Sequence, residues 1–379
     1  MQIAIFCHSV LSDWNHGNAH FLRGIGTDLV SRGHRVDFYE PQDSWSLRNL
    51  LSTHGIHVLE NFRRVYPTLQ THRYDAATLD LDRELDGVNL VLVHEWNAPG
   101  VIRRVGEHRS RARSYQLLFH DTHHRAASKW SREYDIGLRH YDGVLAFGRS
   151  LRDLYIKNGW TGHAWTWHEA ADTRVFHPIA DERDEDVVWI GNWGDEERSS
   201  AIAEYLIGPV KALGLNASIY GVRYPDSALA QIEVAGIRYR GWTPNFEVPG
   251  IFSRFKATVH IPRRYYAEAL PGIPTIRVFE ALACGIPLVS APWEDSERLF
   301  DEGKDFLMAR DAVDMQQKLR MVLNDNDLAD ELRANGLRTV LDRHTCAKRV
   351  DELLAIYRAL RSSRYISASE GESGVAKAN

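Results

Sequence analysis

Short apolar runs alternate with amphipathic stretches along the chain. Residues 3–6 (IAIF) are followed by a polar loop and by Phe21, Leu22, Ile25, Leu29 and Val30 at helical spacing. A second strand candidate, RVDFY, then covers 35–39. Continuous apolar runs of this length suit buried strands and the 3.6-residue recurrence suits a helix, so the opening reads as a βαβ unit. Gly33 supplies the left-handed residue that ends the helix. Runs at 89–94 (NLVLVH), 115–120 (YQLLFH) and 143–147 (GVLAF) are short, apolar and bounded by polar residues. They predict buried parallel strands.

The charged, Pro-containing stretch 176–186 interrupts this pattern before the strand VVWIG. ASIYG, IRYRG, ATVHIP and PLVSA follow, separated by helical segments. The prediction is an α/β protein of two Rossmann-like doubly wound domains, 1–178 and 179–345, facing a cleft. Ala347, Val350, Leu353, Leu354, Tyr357 and Leu360 predict a closing helix over 346–362, and the polar residues 363–379 predict a disordered tail.

Composition narrows the function. At 379 residues the chain has room for two cores, and 44% hydrophobic with 26% charged residues is ordinary for a folded globular protein. A net charge of −5 without a long basic run argues against a nucleic-acid partner. Three cysteines, Cys7, Cys284 and Cys346, are too few and too scattered for a disulfide framework or a CxxC metal site, which fits a reducing cytoplasm. The opening strand lacks the basic start and long apolar core of a signal peptide. No apolar run reaches the ~20 residues a membrane helix needs, which leaves room only for peripheral membrane contact.

The most informative segment is GIPTIRVFEALACGIPLVSAP (272–292): a glycine turn, a short helix, a Gly285 stop and a buried strand. The helix starts near Pro274 and Thr275, where free N–H groups and the dipole favour an anion, with Arg277 beside them. Glu280 lies among apolar residues, where an unpaired carboxylate is costly, so it requires a polar partner. A ribose diol is one such partner. A salt bridge to a nearby arginine is the other.

The segment, together with the opening strand and loop, WHEAADTRVFHP and VVWIGNW, resembles the glycosyltransferases of the GT-B fold, in particular the retaining family-four group and its spore-maturation-protein-like relatives. The resemblance implies a nucleoside diphosphate sugar as donor, UDP by prevalence, and retention of configuration. The nucleotide-sugar is a substrate, so no cofactor is implied. It implies ribose contacts from Glu280, diphosphate contacts from the backbone of Gly272, Ile273, Pro274 and Thr275, and a contact of His120 with the transferred sugar. The family's second glutamate, eight residues before Glu280, is Gly272 here. The acceptor is a carbohydrate, a lipid-linked molecule or a small molecule.

Further candidates surround the same cleft. Gly191, Asn192 and Trp193 form a turn after a strand, suited to phosphate or base, or chosen simply for its backbone angles. Arg198, Arg263 and Arg264 are the available cations; Arg198 and Arg277, with His120, form the predicted catalytic set. Trp14, Asn15, His16, Gly17 and Asn18 sit at a strand's carboxyl end, where open sheets bind ligands, so acceptor or phosphate could dock there. Asn18 as an N-cap explains the same residues without function. His120, Asp121, His123 and His124 are expected in the cleft, with a metal the lesser reading because their spacing matches no zinc pattern. Asp80 and Asp82 read as solvated surface, and Gly24 and Gly26 lack the third glycine of a dinucleotide fingerprint. Two competing functions are a sugar-nucleotide epimerase of the same fold and a catalytically silent carbohydrate-binding scaffold.

Overall fold

In the computed structural model, residues 1–112, 114–128, 136–194 and 198–375 are described. The N-terminal sheet contains β1 (Gln2–Phe6), β2 (Arg35–Pro41), β3 (Gln70–Tyr74), β4 (Leu90–His94), β5 (Gln116–Asp121), β6 (Gly143–Ala146) and β7 (Ala164–Thr166). Its order is 3-2-1-4-5-6-7, and every pair is parallel. The second sheet contains β8 (Glu185–Ile190), β9 (Ala217–Tyr220), β10 (Arg238–Gly241), β11 (Phe255–His260), β12 (Leu288–Ser290) and β13 (Leu307–Met308), ordered 10-9-8-11-12-13 and again parallel. Two doubly wound domains are therefore present, and the strand order reverses beside β1 in one and beside β8 in the other. Open sheets bind ligands at that reversal.

The central strands are apolar on both faces because helices cover both. Ile3 and Ile5 pack with Phe21, Ile25 and Leu29 of the helix Ala19–Ser31, while Ala4 and Phe6 face the opposite layer. Gly33 ends that helix region at φ +81°. The two glycines inside the helix serve packing. A Cβ at Gly24 would lie 2.4 Å from Cys346 Sγ, and one at Gly26 would lie 2.6 Å from the Phe38 ring.

The chain's last helix, Cys346–Val375, returns to the N-terminal domain. Cys346, Val350, Leu353 and Tyr357 join the layer that holds Phe21 and Ile25, and the Trp167 indole N–H donates to the Arg349 carbonyl at 2.9 Å. The helix runs on past residue 362 to Val375. Of the tail expected at 363–379, the residues 376–379 lie outside the described residues.

Several polar links join the domains. Asp13 forms a buried ion pair with Arg23 (2.7 Å) and accepts from the Trp242 indole (3.1 Å) and the Asn245 N–H (3.0 Å) of the second domain. Arg23 is otherwise held by the Val10 carbonyl at 2.8 Å. Among the described residues no helix is long and apolar enough to cross a membrane.

Candidate functional site

A cleft of about 1060 Å³ opens between the carboxyl ends of the two sheets. Its C-terminal wall is built by turns that follow β8 and β11 and by the start of the helix Ile276–Ala283. Gly191, Asn192, Arg198, Arg263, Arg264, Thr275 and Arg277 all reach it. Thr275 precedes the helix in extended conformation and does not cap it with its side chain, so the first-turn N–H groups there have no side-chain cap. The Arg198 guanidinium is steadied by the carbonyls of Asn192 (2.6 Å) and Ile261 (3.3 Å) and lies near the Trp189 ring. Several guanidinium groups and a helix start on one wall make an anion site.

The N-terminal wall is different in kind. The loop after β1 contributes Asn15, His16, Gly17 and Asn18, and the ends of β4 and β5 contribute Trp96, Thr122, His123 and His124. Asn15 holds φ +49°, a conformation asparagine tolerates, and its Oδ1 accepts from Asn192 Nδ2 of the facing wall at 2.6 Å. Arg263 reaches His123 across the cleft at 3.3 Å. Asn18 occupies the N-cap position but its side chain does not cap the helix: it donates to Glu169 Oε1 at 2.8 Å instead. Glu169 lines the cleft although only 6% exposed, and burial pushes its carboxyl up to about 8, against the lowering effect of the Asn18 hydrogen bond.

Beneath this wall lies a group of neutral imidazoles. Burial drives His8 down to about 4 and His120 to about 3, and it holds His16 and His94 well below the ordinary histidine value. Arg125 stacks 3.8 Å above the Trp96 ring and stands 3.3 Å from the buried Glu95 carboxylate.

The comparisons with known proteins agree with this geometry. Residues 198–355 match the model of a family described as glycosyl transferase-like. Among solved structures, sucrose-phosphate synthase from Thermosynechococcus elongatus superposes with a TM-score of 0.65 at 15% identity, covering 96% of this chain and 100% of that one. Anabaena HepE in complex with UDP and glucose gives 0.68 at 13% identity, over 95% and 100% of the two chains. An α-glucosyltransferase in complex with UDP and a 13-mer DNA gives 0.68 at 13%, over 94% and 99%. No curated protein matches in a sequence search. The chain has the two-domain GT-B fold of these proteins, and the family match covers the larger part of its second domain.

At this cleft the structure displaces several residues that the sequence had placed on its surface. Glu280 is fully buried and does not line the cleft: its Oε1 pairs with His20 Nδ1 at 2.6 Å, and its other oxygen accepts from Arg277. The required polar partner is thus protein, and Arg277 stands between Glu280 and the cleft. His20 completes the link by accepting from the Asp172 N–H at 2.9 Å, which ties the helix Ala19–Ser31 to both the helix Ile276–Ala283 and the connecting segment.

Gly272 and Ile273 are also absent from the cleft surface. Gly272 has φ +88°, and a Cβ there would meet Ser296 Oγ at 2.7 Å and Glu297 Cγ at 2.8 Å. Ile273 plugs the N-terminal core beside Gly148, where a Cβ would leave only 2.2 Å. Pro274 is buried with it. Trp193 turns into the second core against Tyr224, and His120 is packed among Phe21, His94 and Trp167. Both are bulky rings adjacent to strand ends, where one residue decides between core and cleft.

Asp121 likewise lies below the surface. It accepts from Tyr155 (2.7 Å) and the His123 N–H (2.9 Å), and burial raises it to about 6. Asp80 caps a helical turn and Asp82 accepts from His108 in a separate surface depression. Among the described residues no three His, Cys, Asp or Glu side chains are grouped to hold a metal ion. Glu169 and Trp96 are among the cleft-lining residues that sequence reasoning did not single out, with Phe147, Arg223, Tyr265 and Tyr266. The signal available for Glu169 was an acidic residue inside the otherwise apolar WHEAAD segment.

Proposed function

We propose that this protein transfers a sugar from a nucleoside diphosphate donor, a UDP-sugar in the first instance, to an acceptor hydroxyl, with retention of configuration and without a required metal ion. The observation that carries the reading is the wall of Arg198, Arg263, Arg264 and Arg277 beside the helix start at Thr275, within a cleft at the strand reversals of two Rossmann-like domains. Negative charge grows on the leaving diphosphate as the bond to the anomeric carbon breaks. Fixed guanidinium groups and backbone N–H groups stabilise that charge in place of a divalent cation. UDP is favoured because HepE and the α-glucosyltransferase of the same fold are described in complex with it. Arg198 and Arg277 act at the diphosphate, Gly191 and Asn192 approach the nucleotide, and the acceptor, a carbohydrate, lipid-linked or small molecule, enters from the N-terminal wall.

The test is calorimetric titration of the full chain with UDP, GDP, ADP and dTDP in the presence of a chelator, repeated on Arg277→Ala. One nucleotide is expected to bind, and loss of the guanidinium is expected to weaken it roughly tenfold or more, the worth of a charge-assisted contact. Absence of binding, or equal binding by the variant, overturns the assignment of the diphosphate wall.

A further inference from the structure

The cleft's N-terminal wall carries buried polar groups whose hydrogen-bonding capacity the protein leaves unused. His16, Asn18 and Glu169 are 4%, 7% and 6% exposed, and all three line the cleft. Among the described residues, His16 Nε2 and Asn18 Oδ1 have no hydrogen-bond partner. Glu169 accepts a single bond, from the Asn18 amide. Buried polar atoms are nearly always paired, so neighbouring unpaired ones beside one opening point to a ligand that pairs them.

Their chemistry states which part of a ligand this is. Burial keeps the His16 imidazole neutral and pushes the Glu169 carboxyl up to about 8, with Glu280 behind it adding to the rise and Arg277 opposing it. At neutral pH the wall offers an imidazole, an amide and a carboxylic acid, each both donor and acceptor in its neutral form and none carrying full charge. A phosphate gains nothing here that the guanidinium wall does not give better. A hydroxyl, which donates and accepts at one oxygen, is the matching group.

We propose that His16, Asn18 and Glu169 form the subsite that reads the hydroxyls of the transferred sugar, and that this sugar is an uncharged hexose. The assignment rests on the donor reading above and extends it to the sugar. A uronic acid is disfavoured because its carboxylate would be desolvated beside Glu169, with the Glu280 carboxylate behind.

The experiment compares UDP, UDP-glucose, UDP-galactose and UDP-glucuronate by calorimetry on the full chain and on Asn18→Ala, Glu169→Ala and Glu169→Gln. One of the two uncharged UDP-hexoses should bind, and it should be weakened about tenfold by Asn18→Ala or Glu169→Ala, while UDP stays within about twofold. Glu169→Gln keeps the shape and a donor, and should recover most of the loss. Equal weakening of UDP and UDP-hexose would place these residues at the phosphates and overturn the assignment. So would unchanged UDP-hexose binding in all three variants, or UDP-glucuronate as the tightest ligand. If the wild-type chain binds UDP but neither hexose conjugate, the sugar subsite fails while the nucleotide reading stands; if it binds none of the four, the UDP reading fails first.

Discussion

The two walls of the cleft come from domains with the same strand logic, yet they achieve binding chemistry by opposite means. The C-terminal wall uses permanent charge: guanidinium groups, a helix start and turns that bring backbone close. The N-terminal wall, where Arg125 is the permanent cation, relies mainly on burial, which keeps His16, and His8, His94 and His120 beneath it, neutral and Glu169 protonated near pH 7. Duplicated architecture thus fixes where a ligand sits, whereas solvent exclusion on one side and fixed charge on the other decide what each side can hold. A charged leaving group and a polyhydroxyl sugar ask for this division.

The largest expected effect comes from separating the walls. Asp13 is the shared acceptor of Arg23 on its own side and of Trp242 and Asn245 on the other. Asp13→Ala leaves Arg23 buried without its counter-ion and removes both inter-domain bonds. Urea denaturation should show a loss of about 3–5 kcal/mol, the usual cost of stranding one member of a buried pair. A loss below about 1 kcal/mol, the range of a surface pair, would mean that the domains are held together elsewhere.

The next test separates the two roles open to Glu280. Its carboxylate reaches the cleft only through Arg277, so Glu280→Ala should weaken UDP binding by loosening the guanidinium. In a double-mutant cycle, Arg277→Ala with Glu280→Ala should then be no worse than Arg277→Ala alone, with a coupling energy of about 1–2 kcal/mol. Additive losses would instead show that Glu280 meets the ribose itself, in an arrangement where Arg277 has moved aside.

Glu280 also illustrates what a sequence discloses. That this carboxylate needs a partner followed from its apolar neighbours. That the partner is His20, 260 positions away, did not, because no local spacing encodes a contact between domains. The central strands β1, β4, β5, β8 and β11 were legible from continuous apolar runs. The strands β3 and β7 were not: QTHRY at the sheet edge is polar and largely exposed, and AWT is three residues long. Edge strands bury little and leave little pattern. Trp193, Ile273 and His120 were correctly placed at strand ends or turns, but the inward rotation of each side chain depends on packing partners such as Tyr224, Gly148 and Trp167.

The smallest effect sharpens the account of burial on the N-terminal wall. Glu169 titrates at about 8 in the folded protein, against an ordinary value of 4.5. Below 4.5 both folded and unfolded chains hold the proton. Between 4.5 and 8 the unfolded chain releases it while the folded chain keeps it, so stability from this group is lost as pH rises through that window. The buried histidines have the opposite slope: His8 and His120 are neutral in the fold down to about 4 and about 3, so their contribution is lost as pH falls below 6.5. Glu169→Gln cannot ionise and should lack the alkaline loss, becoming more stable relative to wild type between pH 5 and pH 9 by on the order of 1 kcal/mol in paired urea titrations. The pairing matters because Asp121, raised to about 6, and Glu95, raised well above the usual range, contribute similar slopes to both proteins. A difference that stays flat across this range would mean that Glu169 is ionised in the fold, and the N-terminal wall would then carry charge like its counterpart.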